Sequence, residues 1–165
     1  MAHVMTNLME ALHAREATME EMLRLLAEER EAIISCDTER LHGATTLKLE
    51  VAASMKEIDG NCRQFMALEA ARLGLADTAT LSPIIARSTL RDKAELEELQ
   101  EILTTLAAEI RRMTEENRRF LGSSLTTINR SLAFFKSRFT VSETYGGSGQ
   151  MVERGANSSL LRKEI

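Results

Sequence analysis

The chain has 165 residues, a formal net charge of −4, one proline, one tyrosine, no tryptophan and eight glycines. The length suits one ordinary domain, and arginines interspersed with glutamates exclude the dense basic stripe that nucleic acid binding requires. No apolar run is long enough to span a membrane, the start lacks the features of a secretory signal, and two cysteines are too few for a disulfide framework.

The composition of residues 1–145 predicts an all-α fold. Four of the eight glycines fall at Gly146 or later, so this part of the chain is rich in good helix formers and nearly free of breakers. Apolar residues with a 4-3 spacing predict a first helix over about 3–34. Asp37 can cap a second helix over about 38–73. Because the connection is short, these two helices should form an antiparallel hairpin.

Leu73-Gly74 ends the second helix, since glycine suits the left-handed position that follows a helix. The linker 74–89 contains the only proline, and Ser82-Pro83 predicts a capped short helix near 82–87 with the proline in its first turn. A long third helix follows over about 90–141. We therefore expect an elongated antiparallel three-helix bundle or coiled coil, with a domain at 1–145 and a flexible tail at 146–165.

The third helix is predicted to outrun its two neighbours. At 1.5 Å per residue it measures roughly 75 Å against roughly 50 Å for the others, so it should run out of partner near residue 123. An apolar seam lies on that last part, and a seam left in water indicates a binding surface unless the helix bends back or a second copy covers it. The candidate residues for binding a helical partner are Leu121, Leu125, Ile128, Leu132, Phe134, Phe135, Phe139 and Asn117.

Asn117 is the informative polar residue of the long helix, because it interrupts an apolar seam. Two interpretations are open. A buried amide can fix the register of packed helices at some cost in stability. Alternatively, the amide can donate a hydrogen bond to the backbone of a bound partner.

Two Glu-x-x-His motifs, Glu10 to His13 and Glu39 to His42, have the spacing of metal ligands on one helical face. In an antiparallel hairpin the two histidines lie roughly 25 Å apart along the axis, so the motifs cannot share a metal. No nucleophile elbow or phosphate-binding glycine loop is present. We expect no catalytic residues, no metal and no cofactor.

The order of elements resembles the flagellar export chaperones of the FlgN type. The features that carry the resemblance are a second helix opening Asp37-Thr-Glu-Arg-Leu41, a linker segment Leu81-Ser-Pro-Ile-Ile-Ala-Arg87, a long helix carrying Asn117, and a closing Thr144-Tyr145-Gly146 element.

This resemblance implies a cytoplasmic chaperone that binds the helical ends of hook-associated proteins, prevents their early assembly and delivers them to the flagellar export gate. It also implies that the client site lies in the C-terminal part of the long helix and that Tyr145 docks to the gate. The exposed seam itself, apart from the resemblance, allows pairing with a second copy when no client is present. The alternatives from other classes are a structural coiled-coil adaptor that forms a permanent homodimer, and a di-metal bundle enzyme.

Overall fold

The computed structural model describes residues 3–76 and 80–139, and every element within those ranges is an α-helix. In chain order the helices are α1 (His3–Ile34), α2 (Thr38–Arg72), α3 (Leu81–Arg87) and α4 (Leu90–Phe139). The predicted all-α class and the long last helix are confirmed. The helix ends that lie inside the described residues, from Ile34 to Leu90, fall within one residue of the predicted bounds, whereas the predicted end at 141 lies outside the described residues. The predicted tail at 146–165 lies outside the described residues.

The chain divides into two compact units, Met1–Phe120 and Leu121–Ile165. The first unit contains α1, α2, α3 and the first part of α4, and the described part of the second unit is the remainder of α4. The predicted domain boundary after residue 145 falls outside the described residues.

Two helix ends in the first unit have the same hydrogen-bonded geometry. After α2, Gly74 has a φ of +69°, its N–H donates to the carbonyl of Ala71 at 3.1 Å, and the N–H of Leu75 donates to Ala70 at 2.8 Å. This pair of bonds is the Schellman motif, in which the residue after the helix is left-handed. Gly74 therefore ends α2 as the sequence predicted.

The turn from α1 to α2 repeats that motif with a cysteine in the left-handed position. Cys36 has a φ of 53°, its N–H donates to Ile33 at 3.2 Å, and the N–H of Asp37 donates to Ala32 at 2.9 Å. Asp37 then caps α2, because its carboxylate accepts from the backbone N–H of Arg40 at 3.0 Å. The predicted cap is confirmed.

Ion pairs define the direction in which α2 runs past α1. The Arg15 guanidinium lies 3.1 Å from the Asp59 carboxylate, and the Lys48 ammonium lies 2.5 Å from the Glu29 carboxylate. Later residues of α1 thus face earlier residues of α2, which makes the hairpin antiparallel as predicted. The first part of α4 runs parallel to α1, since Glu95 lies beside His13 and Asn117 beside Arg30.

The core of the first unit is concentrated where the beginning of α1, the end of α2, α3 and the beginning of α4 meet. Side chains from α3 are fully part of it: Ile84 has 0% and Ile85 5% of its surface exposed. The cluster consists of Leu8, Met9, Ala11, Leu12, Cys62, Ile84, Ile85, Leu96 and Leu99. Burial raises the pKa of the Cys62 thiol, which is the behaviour of a packing cysteine.

The short helix begins one residue before the predicted start. Its N-cap position is occupied by Thr80, whose side chain makes no capping hydrogen bond, and the helix begins at Leu81. The expectation that Ser82 caps this helix was wrong, because Ser82 is already inside it and its hydroxyl accepts from the Gln100 amide at 2.9 Å. Pro83 lies in the first turn, as predicted.

Candidate functional site

The last part of α4 carries an apolar row that we call the C-terminal seam. It consists of Leu121, Leu125, Ile128, Leu132, Phe135 and Phe139. Its alternating spacing of four and three residues keeps these positions on one side of a helix, within about 40° of their mean direction.

The described side chains of the C-terminal seam are exposed. The exposed fraction is 37% for Leu121 and 53%, 49%, 54% and 54% for Leu125, Ile128, Leu132 and Phe135. For Phe139 only the helical backbone is described. Several large apolar side chains in a row, each about half exposed, form the kind of contiguous patch that marks an interaction site.

Phe134 belongs to a different side of α4 from the seam. It lies about 140° around the helix from the seam's mean direction. There the Arg138 guanidinium stands 5.2 Å above its ring, and the ring makes an edge contact with Phe135 at 6.0 Å between centroids. The ring is 55% exposed. It is therefore not part of the row, and its place in the client surface stays a prediction.

Asn117 lies in the first unit, buried between α4 and α1 with 3% of its surface exposed. Its amide nitrogen donates to the carbonyl oxygen of Leu26 at 2.8 Å and to the Glu29 carboxylate at 2.9 Å. Its amide oxygen accepts from Nε of Arg30 at 3.2 Å. Three partners on α1 thus engage both ends of the amide.

A charged network extends from this buried amide. Glu29 also accepts from Lys48 of α2, while Arg30 forms an ion pair with Glu116 of α4. Arg112 approaches the same Glu116 carboxylate at 2.6 Å. The two guanidinium groups, Arg30 first and then Arg112, hold the pKa of Glu116 below its usual range. The network links α1, α2 and α4 in a single register.

The sequence indicated only one member of that network. Asn117 drew attention because a polar residue interrupted an apolar spacing, whereas Glu29, Arg30 and Lys48 look like ordinary surface charges of a helical chain. The partners of Asn117 are 87 to 91 residues away along the chain. Nothing in local spacing identifies them.

The two Glu-x-x-His motifs lie on different helices, Glu10 to His13 on α1 and Glu39 to His42 on α2. Both ring nitrogens of His13 lie within hydrogen-bonding distance of a carboxylate, that of Glu16 at 3.2 Å and that of Glu95 on α4 at 3.3 Å. These carboxylates, Glu16 first, raise the pKa of His13. Across residues 3–76 and 80–139, no group of three or more His, Cys, Asp or Glu side chains is placed to hold a metal ion.

None of the helices within the described residues is long and apolar enough to cross a membrane. The candidate site is the exposed apolar row on α4, and the buried polar network around Asn117 is a separate feature of the first unit.

A family model described as FlgN protein matches residues 1–153, which include all four helices and the C-terminal seam. No curated protein and no solved structure matches the chain. Since the family model covers nearly the whole sequence, the chain belongs to the FlgN family, and this membership supports a chaperone role in flagellum assembly.

Proposed function

We propose that this protein is a cytoplasmic flagellar export chaperone that binds hook-associated proteins through the C-terminal seam. The client's helical end would pack along the seam, which would keep it from assembling early, and the complex would then be delivered to the export gate. The observation that carries this proposal is the exposure of Leu125, Ile128, Leu132 and Phe135 in a chain that belongs to the FlgN family.

The energetics favour a helical client. Completing the burial of a half-exposed leucine, isoleucine or phenylalanine side chain contributes about 1 kcal/mol, so the seam as a whole offers several kcal/mol to a partner. An amphipathic helix laid along an apolar row is one of the recurring modes of peptide recognition, and its own apolar residues would follow the same spacing. No catalytic step is needed for such a function.

A double substitution tests the proposal. Leu132→Asp combined with Phe135→Asp places two carboxylates in the middle of the seam, where a bound helix would have to desolvate them. We expect affinity for a hook-associated protein to fall at least a hundredfold, measured by isothermal titration calorimetry with the purified client. Helical content, measured by circular dichroism, should be unchanged because both side chains are exposed.

The matched control is Leu49→Asp with Leu68→Asp on α2, where both leucines are also exposed, at 69% and 49%. It introduces the same charges into the same chain and should leave client affinity within about twofold. If the seam variant binds the client as tightly as the unaltered protein, the proposal is wrong. If size-exclusion chromatography shows a dimer that no client dissociates, the seam is a permanent interface between two copies.

A further inference from the structure

The C-terminal seam lies in a stretch of sequence that has no acidic residue. Between Glu116 and Glu143 the chain contains five cations and neither aspartate nor glutamate, although the whole chain has a net charge of −4. The cations are Arg118, Arg119, Arg130, Lys136 and Arg138. The charge around the seam is therefore opposite in sign to that of the protein.

Two of these cations flank the seam. Helical geometry puts Lys136 about 60° to one side of the seam's mean direction and Arg138 about 100° to the other side. In a coiled coil these are the two positions beside the apolar core, and their charges set which partner is accepted. Arg130 points about 180° away from the seam, so a helix bound there would not reach it.

The remaining flanking positions are small or uncharged. They are Gly122, Ser124, Asn129 and Ser131. Small side chains at the flanking positions allow a second helix to approach closely. Because these four residues are uncharged, the preference for the charge of a bound helix depends on Lys136 and Arg138.

We propose that the segment which covers the C-terminal seam is an amphipathic helix whose own apolar row is flanked by aspartate or glutamate. This inference rests on the proposed function and specifies the chemistry of the client segment. Opposite charges beside the apolar row would steer the encounter and fix the register, as complementary charges do at other interfaces.

Charge distinguishes this occupant from a second copy of the chain. Along the length of the seam a second copy presents the same cations and no carboxylate. Pairing of two copies along their seams would therefore bring the cations of one copy close to the cations of the other. This repulsion disfavours self-association at low salt.

The width of the seam distinguishes the acidic helix from an anionic membrane surface. A helix that lies on a membrane has a broad apolar face, and its opposite, polar face carries many lysines and arginines. Here the apolar row is the narrow kind, limited to two positions in seven, which is the pattern of a helix that packs against another helix.

The test compares two synthetic peptides of three heptads with identical leucine rows. One has glutamate at all positions beside the row and the other has lysine there. With the full-length protein, we expect the glutamate peptide to bind about tenfold tighter, and the preference to shrink as sodium chloride is raised from about 0.05 M to about 0.5 M. Lys136→Glu with Arg138→Glu should remove or reverse the preference.

Arg130→Glu is the control, because it changes charge on the opposite side of the same helix and should leave the preference intact. Equal affinity for both peptides would overturn the inference, as would a client affinity unaffected by the Lys136 and Arg138 substitutions. Such a result would leave the proposed function standing if Leu132→Asp with Phe135→Asp still abolished client binding. Failure of that second variant to affect the client would instead overturn the proposed function.

Two further outcomes identify the other occupants. Binding to phosphatidylglycerol vesicles that the Lys136 and Arg138 substitutions abolish, with neither peptide bound, would identify a membrane surface and refute the acidic helix. A dimer that persists at low salt and excludes both peptides would identify a second copy.

Discussion

Cys36 occupies a backbone conformation that is costly for any residue with a side chain. Its φ of 53° is required by the Schellman motif that ends α1, and its thiol is exposed, so no packing compensates the strain. Left-handed backbone costs a non-glycine residue about 1 kcal/mol or somewhat more. We expect Cys36→Gly to raise the free energy of unfolding by up to about 1 kcal/mol in urea denaturation.

Gly74 provides the reciprocal substitution. It holds the same position after α2, and a Cβ added there would meet nothing within 4 Å. Gly74→Ala should therefore lower the free energy of unfolding by about 1 kcal/mol through backbone strain alone. If Cys36→Gly destabilised the protein, an unrecognised contact of the cysteine side chain would have to be stronger than the strain.

Asn117 was open to two interpretations at the level of sequence, and the geometry favours the register role. Three partners on α1 engage its amide, and removing it leaves the Glu29 and Arg30 side chains without their bonds to it. We expect Asn117→Ala to lower the free energy of unfolding by about 1–3 kcal/mol. Client affinity, measured where the variant is still folded, should remain within about twofold. Unchanged stability together with lost client binding would show that Asn117 contacts the client.

Among the elements, α3 contributes to the core despite its short length. It has seven residues, too few to be stable alone, yet both of its isoleucines are buried in the core cluster. Ile84→Ala should lower the free energy of unfolding by about 2–4 kcal/mol, because the site is closed on all sides and leaves a cavity. Ile34→Ala is the matched control, since Ile34 is 66% exposed and the change should cost less than about 0.5 kcal/mol. Similar costs for the two variants would mean that α3 is only loosely held.

At the scale of single elements, the positions of the helices could be predicted from local sequence signals. Asp37, Gly74 and Pro83 mark helix ends by mechanisms that act within a few residues, so their sequence gives the boundaries closely. The cap of α3 was misjudged because Ser82 is a common capping residue, whereas its hydroxyl in fact bonds to Gln100 of α4. A partner 18 residues away cannot be inferred from capping preference.

For the molecule as a whole, the sequence reveals how apolar residues are spaced along each helix, but it does not reveal which residues of different helices contact one another. Spacing predicted the C-terminal seam, but grouping Phe134 with it followed from composition, and helical geometry puts that ring about 140° around the helix from the seam. The contact of His13 with Glu95 spans 82 residues. Such contacts depend on how α1 and α4 are aligned along their axes. The apolar rows do not fix this alignment, because a shift of one helix by a whole turn still brings apolar residues together.

Client capture and delivery to the export gate are expected to depend on different residues of the chain. Tyr145 lies outside the described residues, and its proposed role at the export gate comes from the family resemblance. A tyrosine supplies a large, rigid contact area and often dominates the energy of a small interface. We expect Tyr145→Ala to weaken binding to the cytosolic part of the export gate by at least tenfold and to leave client affinity unchanged, both measured by biolayer interferometry. Tyr145→Phe, which keeps the ring, should retain most of the gate affinity. Loss of client binding in Tyr145→Ala would assign the residue to the client surface, and capture and delivery would then share one site.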